Sequence, residues 1–196
     1  MTVSFANQSL AFNSVDSCGL RPGQWLGVIG AGGLGQLAVQ YGKAMGFKVL
    51  AVDINDATLN VCKSQGADET FNSKTEPDYV SKIKQLTNGG VHAAAVFSNA
   101  LAAYAGAPSI IRVGGTLMVV GIPHKPLEVP PMELILGTYK IKAESTSIPQ
   151  RMKKAVDFSS EHNIHPDVQL RRLEELNDMV NEMRAGKATR RMGVAF

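Results

Sequence analysis

The chain has 196 residues, 44% of them apolar, and 20 basic against 17 acidic side chains give a formal charge of +3. That suffices for one ordinary core with a small appendage, and the two signs are too evenly interspersed for a nucleic-acid-binding surface. Two cysteines without a CxxC pair, no basic-then-apolar leader in MTVSFANQSL and no apolar run near the roughly 18 residues of a membrane span leave the expectation of a cytoplasmic protein with reduced thiols.

Short buried-strand runs alternate with helical periods. QWLGVIG (24–30) predicts a strand, and Leu34, Leu37, Ala38, Tyr41 and Met45 then recur on one face of a helix that stops at Gly46. FKVLAVD (47–53) predicts the second strand and DATLNVCKSQG a helix ending at Gly66. ETF (69–71) is a short strand, and the helix after it starts near Pro77 with Val80, Ile83 and Leu86 as its apolar stripe. VHAAAVF (91–97) and GTLMVVG (115–121) are strands flanking the small-residue helix ALAAYAGAPSII. After a Pro-rich loop and the short turn MELILG, YKIKAES (139–145) is a strand and QRMKKAVDFSSEHN an amphipathic helix. Such alternation with short connections predicts a doubly wound α/β domain, a parallel sheet covered on both faces. From about residue 165 the rhythm changes to strand, helix, strand, with Leu173, Leu176, Val180 and Met183 expected inward. The expected division is 1–164 for the Rossmann-type domain and 165–196 for the appendage. The apolar face of that appendage needs cover from residues 1–20, a second subunit or another protein.

Gly30-Ala31-Gly32-Gly33-Leu34-Gly35 fits G-x-G-x-x-G between a strand and a helix. Gly30 permits the tight turn, Gly32 lets backbone approach a pyrophosphate, and Gly35 lets the helix pack close to the strand. An anion would sit at the helix N-terminus, among free N–H groups and the positive end of the dipole. Asp53 ends the next strand 18 residues after Gly35. A carboxylate there accepts ribose hydroxyls and repels a 2′-phosphate, which favours NAD(H) over NADP(H); alternatively it only caps the helix near Asp56. Ser98 and Asn99, then Gly121, Ile122, Pro123 and His124, then Ser145 and Thr146 follow the later strands and are expected to line the other half of the cleft.

These motifs carry a resemblance. SCGLRPGQWLGVIGAGGLGQLAVQYGKAMGFKVLAVDIND, GADETFN, RVGGTLMVVGIP and LEELNDMVNEMRAGKATRRMGVAF resemble the cofactor-binding domain of the zinc-dependent alcohol dehydrogenases, the medium-chain dehydrogenase/reductase family. The resemblance implies NAD(H) on Gly30, Gly32, Gly33, Gly35 and Asp53, with nicotinamide contacts at Gly121 and Ile122; Leu34 in the loop and Ser98 after the fourth strand complete the expected cofactor site. It also implies pairing into a homodimer through the cofactor domains. An N-terminal GroES-like catalytic domain belongs to the pattern, and these 196 residues hold no counterpart of it. Counting back from Gly19 places Ala6 where a catalytic-zinc cysteine is usual, and Pro149 stands near the place of a pyrophosphate-binding arginine, which Arg151 could replace.

The remaining chemistry is sparse. His162 and His165 read as a surface pair and His92 as structural. The clusters Arg151, Lys153, Lys154 and Lys187 to Arg191 read as solvated surface. His124, Ser98 and Ser145 are the proton-transfer candidates, and no zinc site is expected. Three functions follow: a zinc-independent oxidoreductase of a small alcohol or carbonyl compound, a non-redox isomerase, cyclase or lyase using the same cleft, or a dinucleotide-binding module that is non-catalytic or cut from a longer enzyme.

Overall fold

Residues 5–145 and 149–194 are described by a computed structural model. Six parallel strands form one sheet: β1 (Trp25–Ile29), β2 (Lys48–Asp53), β3 (Glu69–Asn72), β4 (Val91–Val96), β5 (Ile111–Val119) and β6 (Tyr139–Ala143), in the order β3-β2-β1-β4-β5-β6. The order reverses between β1 and β4, and beyond the carboxyl ends of the strands at such a reversal lies the ligand crevice of open α/β sheets. The expected doubly wound fold is therefore present.

Period-2 alternation splits the strands between two cores. Leu26, Val28, Ala93 and Ala95 face a layer made by α1 (Phe5–Asp16), α2 (Gly33–Ala44), α3 (Asp56–Ser64) and α7 (Pro149–Glu161). Ile29, Ala94, Val96 and Leu117 face α4 (Tyr79–Thr87) and α5 (Leu101–Ile110). A short α6 (Pro131–Ile135) precedes the edge strand β6.

Two elements depart from the sequence expectation. β5 begins at Ile111, four residues before Gly115, and a register shift between Val91 and Ala93 admits the extra length. α1 was not foreseen. It lies against α2 and α7, where Phe12 meets Tyr41 and Phe158 with ring centroids 5.5 and 5.3 Å apart.

The appendage is β7 (Val168–Arg171), a 3-10 turn (Leu173–Glu175), α8 (Leu176–Arg184) and β8 (Arg191–Val194), the two strands pairing in parallel. Its inward residue is Met179; Leu173, Leu176 and Met183, expected inward, are exposed together with Leu170. Of residues 1–20, the described part does not cover them: α1 packs on α2 and α7.

His92 holds the amino-terminal end of the sheet. Trp25 N–H donates to its Nδ1 at 3.1 Å, and Arg112 meets Nε2. Burial, then the Arg112 charge, pushes the imidazole below its usual 6.5. The unfolded chain takes up this proton first, so the contribution of His92 is complete above about pH 6.5 and is lost as pH falls toward the lower folded value. The thermal midpoint should drop as pH falls below about 6.5, and a His92→Gln chain should show a flatter profile.

Candidate functional site: the glycine loop

β1 delivers the chain into Gly30, whose φ of +94° suits a residue without a side chain. A Cβ there would lie 3.0 Å from Ser98 N, and one on Gly35 would lie 1.9 Å from Gly30 O. These two glycines let loop, helix and β4 touch backbone to backbone. Gly32 differs: a Cβ on it would have nothing within 4 Å, so its bareness serves open space rather than packing. Gly32 is the N-cap of α2 and offers no side-chain cap. The first amides of α2 therefore lack the partner a Ser or Asp cap would give, which is the condition for receiving an anion.

Asp53 closes the site on the β2 side. Its Oδ2 accepts from Ala31 N at 2.6 Å, and its Oδ1 from Ile54 N at 2.7 Å and Asn55 N at 3.1 Å. It does not cap α3: Asn55 does, accepting from Ala57 N at 2.9 Å. A cavity of about 210 Å³ lies between Asp53, Ile54 and Ser98, and a more open one at Asp53, Asn55 and Asp56 carries two carboxylates and no cation in its lining.

The appendage supplies what sequence reading missed. Arg191 was read as solvated surface, yet its guanidinium sits 3.5 Å from where a Cβ on Gly33 would be. It lines the glycine-loop cavity with Gly32, Leu34, Asp53, Phe97 and Ser98. Its Nε is buried with no hydrogen-bond partner, and burial lowers its pKa. A buried donor without an acceptor is costly, and a bound anion would relieve it. Gln36 ties the same two parts together. It is 2% exposed, and its Nε2 donates to Ala31 O at 2.9 Å and to Thr189 O at 3.0 Å.

The other candidates divide. Ser98 lies at the cavities, its Oγ accepting from Ala100 N at 3.1 Å. Gly121 packs on Ser98, while Ile122 beside it is 84% exposed. His124 is exposed and lines none of these cavities, and Ser145 is an exposed residue after β6. Thr146, Ser147 and Ile148 lie outside the described residues. Arg151, offered above for phosphate, is already held by Glu144 Oε2 at 2.9 Å and Ser17 Oγ at 3.0 Å. His162 stacks on Phe158 at 4.2 Å and His165 bonds Asn163.

A family model described as zinc-binding dehydrogenase matches residues 33–161. The chain belongs to this family. Solved structures carry the same fold. An alcohol dehydrogenase from the archaeon Aeropyrum pernix is 25% identical over 95% of this chain and 54% of its own, with a TM-score of 0.86. An alcohol dehydrogenase zinc-binding domain protein from Burkholderia ambifaria is 26% identical over 97% and 54%, with a TM-score of 0.82. A benzyl alcohol dehydrogenase from Acinetobacter calcoaceticus, at 24% identity over 97% and 55%, superposes with a TM-score of 0.83. This zinc-binding dehydrogenase chain thus spans about half the length of the structures it matches, and the part it spans is the cofactor-binding domain.

The family's metal does not fit the side chains at hand. Among the described residues no three His, Cys, Asp or Glu converge as ligands. Cys18 and Cys62 are buried separately, and burial pushes both thiols up to about 12, whereas zinc binds thiolate. Among the described residues no helix is long and apolar enough to cross a membrane.

Proposed function

We propose that this chain binds NAD(H) across the carboxyl ends of β1, β2, β4 and β5 and serves a cytoplasmic, alcohol-dehydrogenase-like oxidoreductase of a small alcohol or carbonyl compound. The observation that carries this is the uncapped start of α2 facing Arg191, whose buried Nε lacks a partner. A pyrophosphate supplies acceptors to both. The adenosine ribose then falls beside Asp53, and the two carboxylates there favour NAD(H) over NADP(H). Such a cofactor supplies hydride transfer. Within this reading Ser98, with Ser145 or His124, exchanges the proton with substrate, without a zinc held by this chain. Supporting the last point is the scattered donor set just described.

The calorimetric test is titration with NADH and, separately, NADPH. Micromolar NADH binding with far weaker NADPH binding supports the assignment; no binding of either sinks it. Carbonyl-dependent NADH consumption would separate redox chemistry from a non-redox use of the cleft. Arg191→Met should weaken NADH binding by about 10- to 50-fold, the worth of a charge-assisted bond, while leaving the ligand-free thermal midpoint unchanged or raised, since the unpaired buried donor is gone.

The proposed division remains 1–164 for cofactor binding and 165–196 for an appendage whose exposed Leu170, Leu173, Leu176 and Met183 suit the catalytic domain that the family packs there. The proposed assembly is a homodimer. β6 is an open sheet edge, and Met132, Ile135 and Leu136 are exposed beside it. Sedimentation should show about twice the chain mass, and Ile135→Lys with Leu136→Lys should halve it.

A further inference from the structure

The carboxyl ends of β4 and β5 meet without side chains. A Cβ on Gly121 would fall 2.2 Å from Ser98 O, and Gly121 N donates to Val96 O at 2.9 Å. The remaining polar atom of this glycine, its carbonyl oxygen, accepts a hydrogen bond from Tyr104 Oη on α5. Tyr104 is 6% exposed, and burial raises its phenol pKa, so the hydroxyl is a neutral donor throughout the working pH range. Its helix, LAAYAGAPSI, is otherwise built of small and apolar residues apart from Ser109. A phenylalanine would fill the same space. What the tyrosine adds is one hydroxyl, which donates to Gly121 O and also meets the backbone of Val120 beside it.

The position of Gly121 gives the bond its meaning. Asp53 lies on the β2 side of the glycine loop, so a dinucleotide whose ribose reaches Asp53 and whose phosphates lie on the loop must send its other end over β4 and β5. Gly121 lies two residues past the end of β5, at that far end. No cis peptide occurs among the described residues, so the C=O of Gly121 and the N–H of Ile122 point in opposite directions. Holding the oxygen toward α5 turns the Ile122 N–H away from α5. We infer that Tyr104 is a positioning residue for the nicotinamide end of the cofactor, fixing the Gly121–Ile122 peptide against which the ring carboxamide is read. The inference rests on the dinucleotide reading above.

The test compares the parent chain with Tyr104→Phe, titrated with NADH and with ADP-ribose, which lacks the nicotinamide. Loss of one bond to a fixed acceptor should weaken NADH by about 5- to 10-fold and leave ADP-ribose unchanged. The fluorescence change of NADH on binding should shrink as the ring loosens. The ADP-ribose arm doubles as a check on folding. If NADH is bound equally by both chains, or if both ligands weaken together, Tyr104 has no positioning role and the dinucleotide reading still stands. If the parent chain binds neither ligand, both ideas fall.

Discussion

Gly35→Ala should cost the domain its fold, while Gly32→Ala should cost it only its ligand. The two glycines stand three residues apart in one motif, Gly32 at the N-cap of α2 and Gly35 in its first turn, yet their surroundings are opposite. A Cβ on Gly35 would lie 1.9 Å from the Gly30 carbonyl oxygen, a backbone atom that cannot swing aside. Relief requires α2 to retreat from β1, which opens the core around Leu37, Ala38 and Val28. Overpacking of this kind costs about 3 kcal/mol or more, a large share of the whole stability of a domain. Gly32 has a negative φ of −72° and open space where its Cβ would be, so alanine fits the free protein. The methyl group would instead occupy the approach of the pyrophosphate. Urea midpoints and NADH titrations of both chains separate the two effects. A Gly35→Ala chain with the parent midpoint would contradict the close packing. A Gly32→Ala chain with parent NADH affinity would contradict the phosphate site.

Asp53→Asn should change which dinucleotide is bound more than how the protein folds. A carboxylate facing a 2′-phosphate at about 4 Å is repelled by between about 1 kcal/mol in water-like and 4 kcal/mol in protein-like surroundings per pair of unit charges. The parent chain should therefore prefer NADH over NADPH by about 100-fold, and the variant by about 10-fold or less. Asparagine keeps one acceptor oxygen for the amides of Ile54 and Asn55 but presents an NH2 to the Ala31 amide that Oδ2 now serves, so the turn holds with one bond fewer. Asp56 remains nearby and should keep the variant from preferring NADPH outright. Equal binding of the two cofactors by the parent chain would remove Asp53 from the ribose.

The sheet, its helices and the glycine loop were legible in the sequence because each is announced locally, by alternation, by helical period or by glycines at fixed spacing. α1 was not, and its composition explains why. Gln8, Ser9, Asn13 and Ser14 are all buried in it, so no apolar stripe marks the helix. Their polar groups are satisfied one by one: Gln8 Nε2 donates to Ile164 O, Asn13 to Ser9, and Ser14 to Leu10 O. Pattern reading treats such residues as surface. Arg191 was illegible for another reason. It lies more than 150 residues from Gly33, in a basic run that looks solvated, and only the folded path of β8 brings it to the loop. Leu173 and Leu176 misled in the opposite sense, being apolar side chains at helical spacing that this chain leaves uncovered.

Gln36 makes the loop and the appendage parts of one thermodynamic balance. Its single amide nitrogen serves Ala31 O on one side and Thr189 O on the other. Losing the appendage would therefore leave a buried amide with half its work, directly beneath the glycine loop. Conversely, a ligand gripped by both the loop and Arg191 lends its binding free energy to the β7–β8 unit by mass action. The β7–β8 unit is then as firmly folded as the site is full, and its hydrogen exchange should slow in step with saturation of the site.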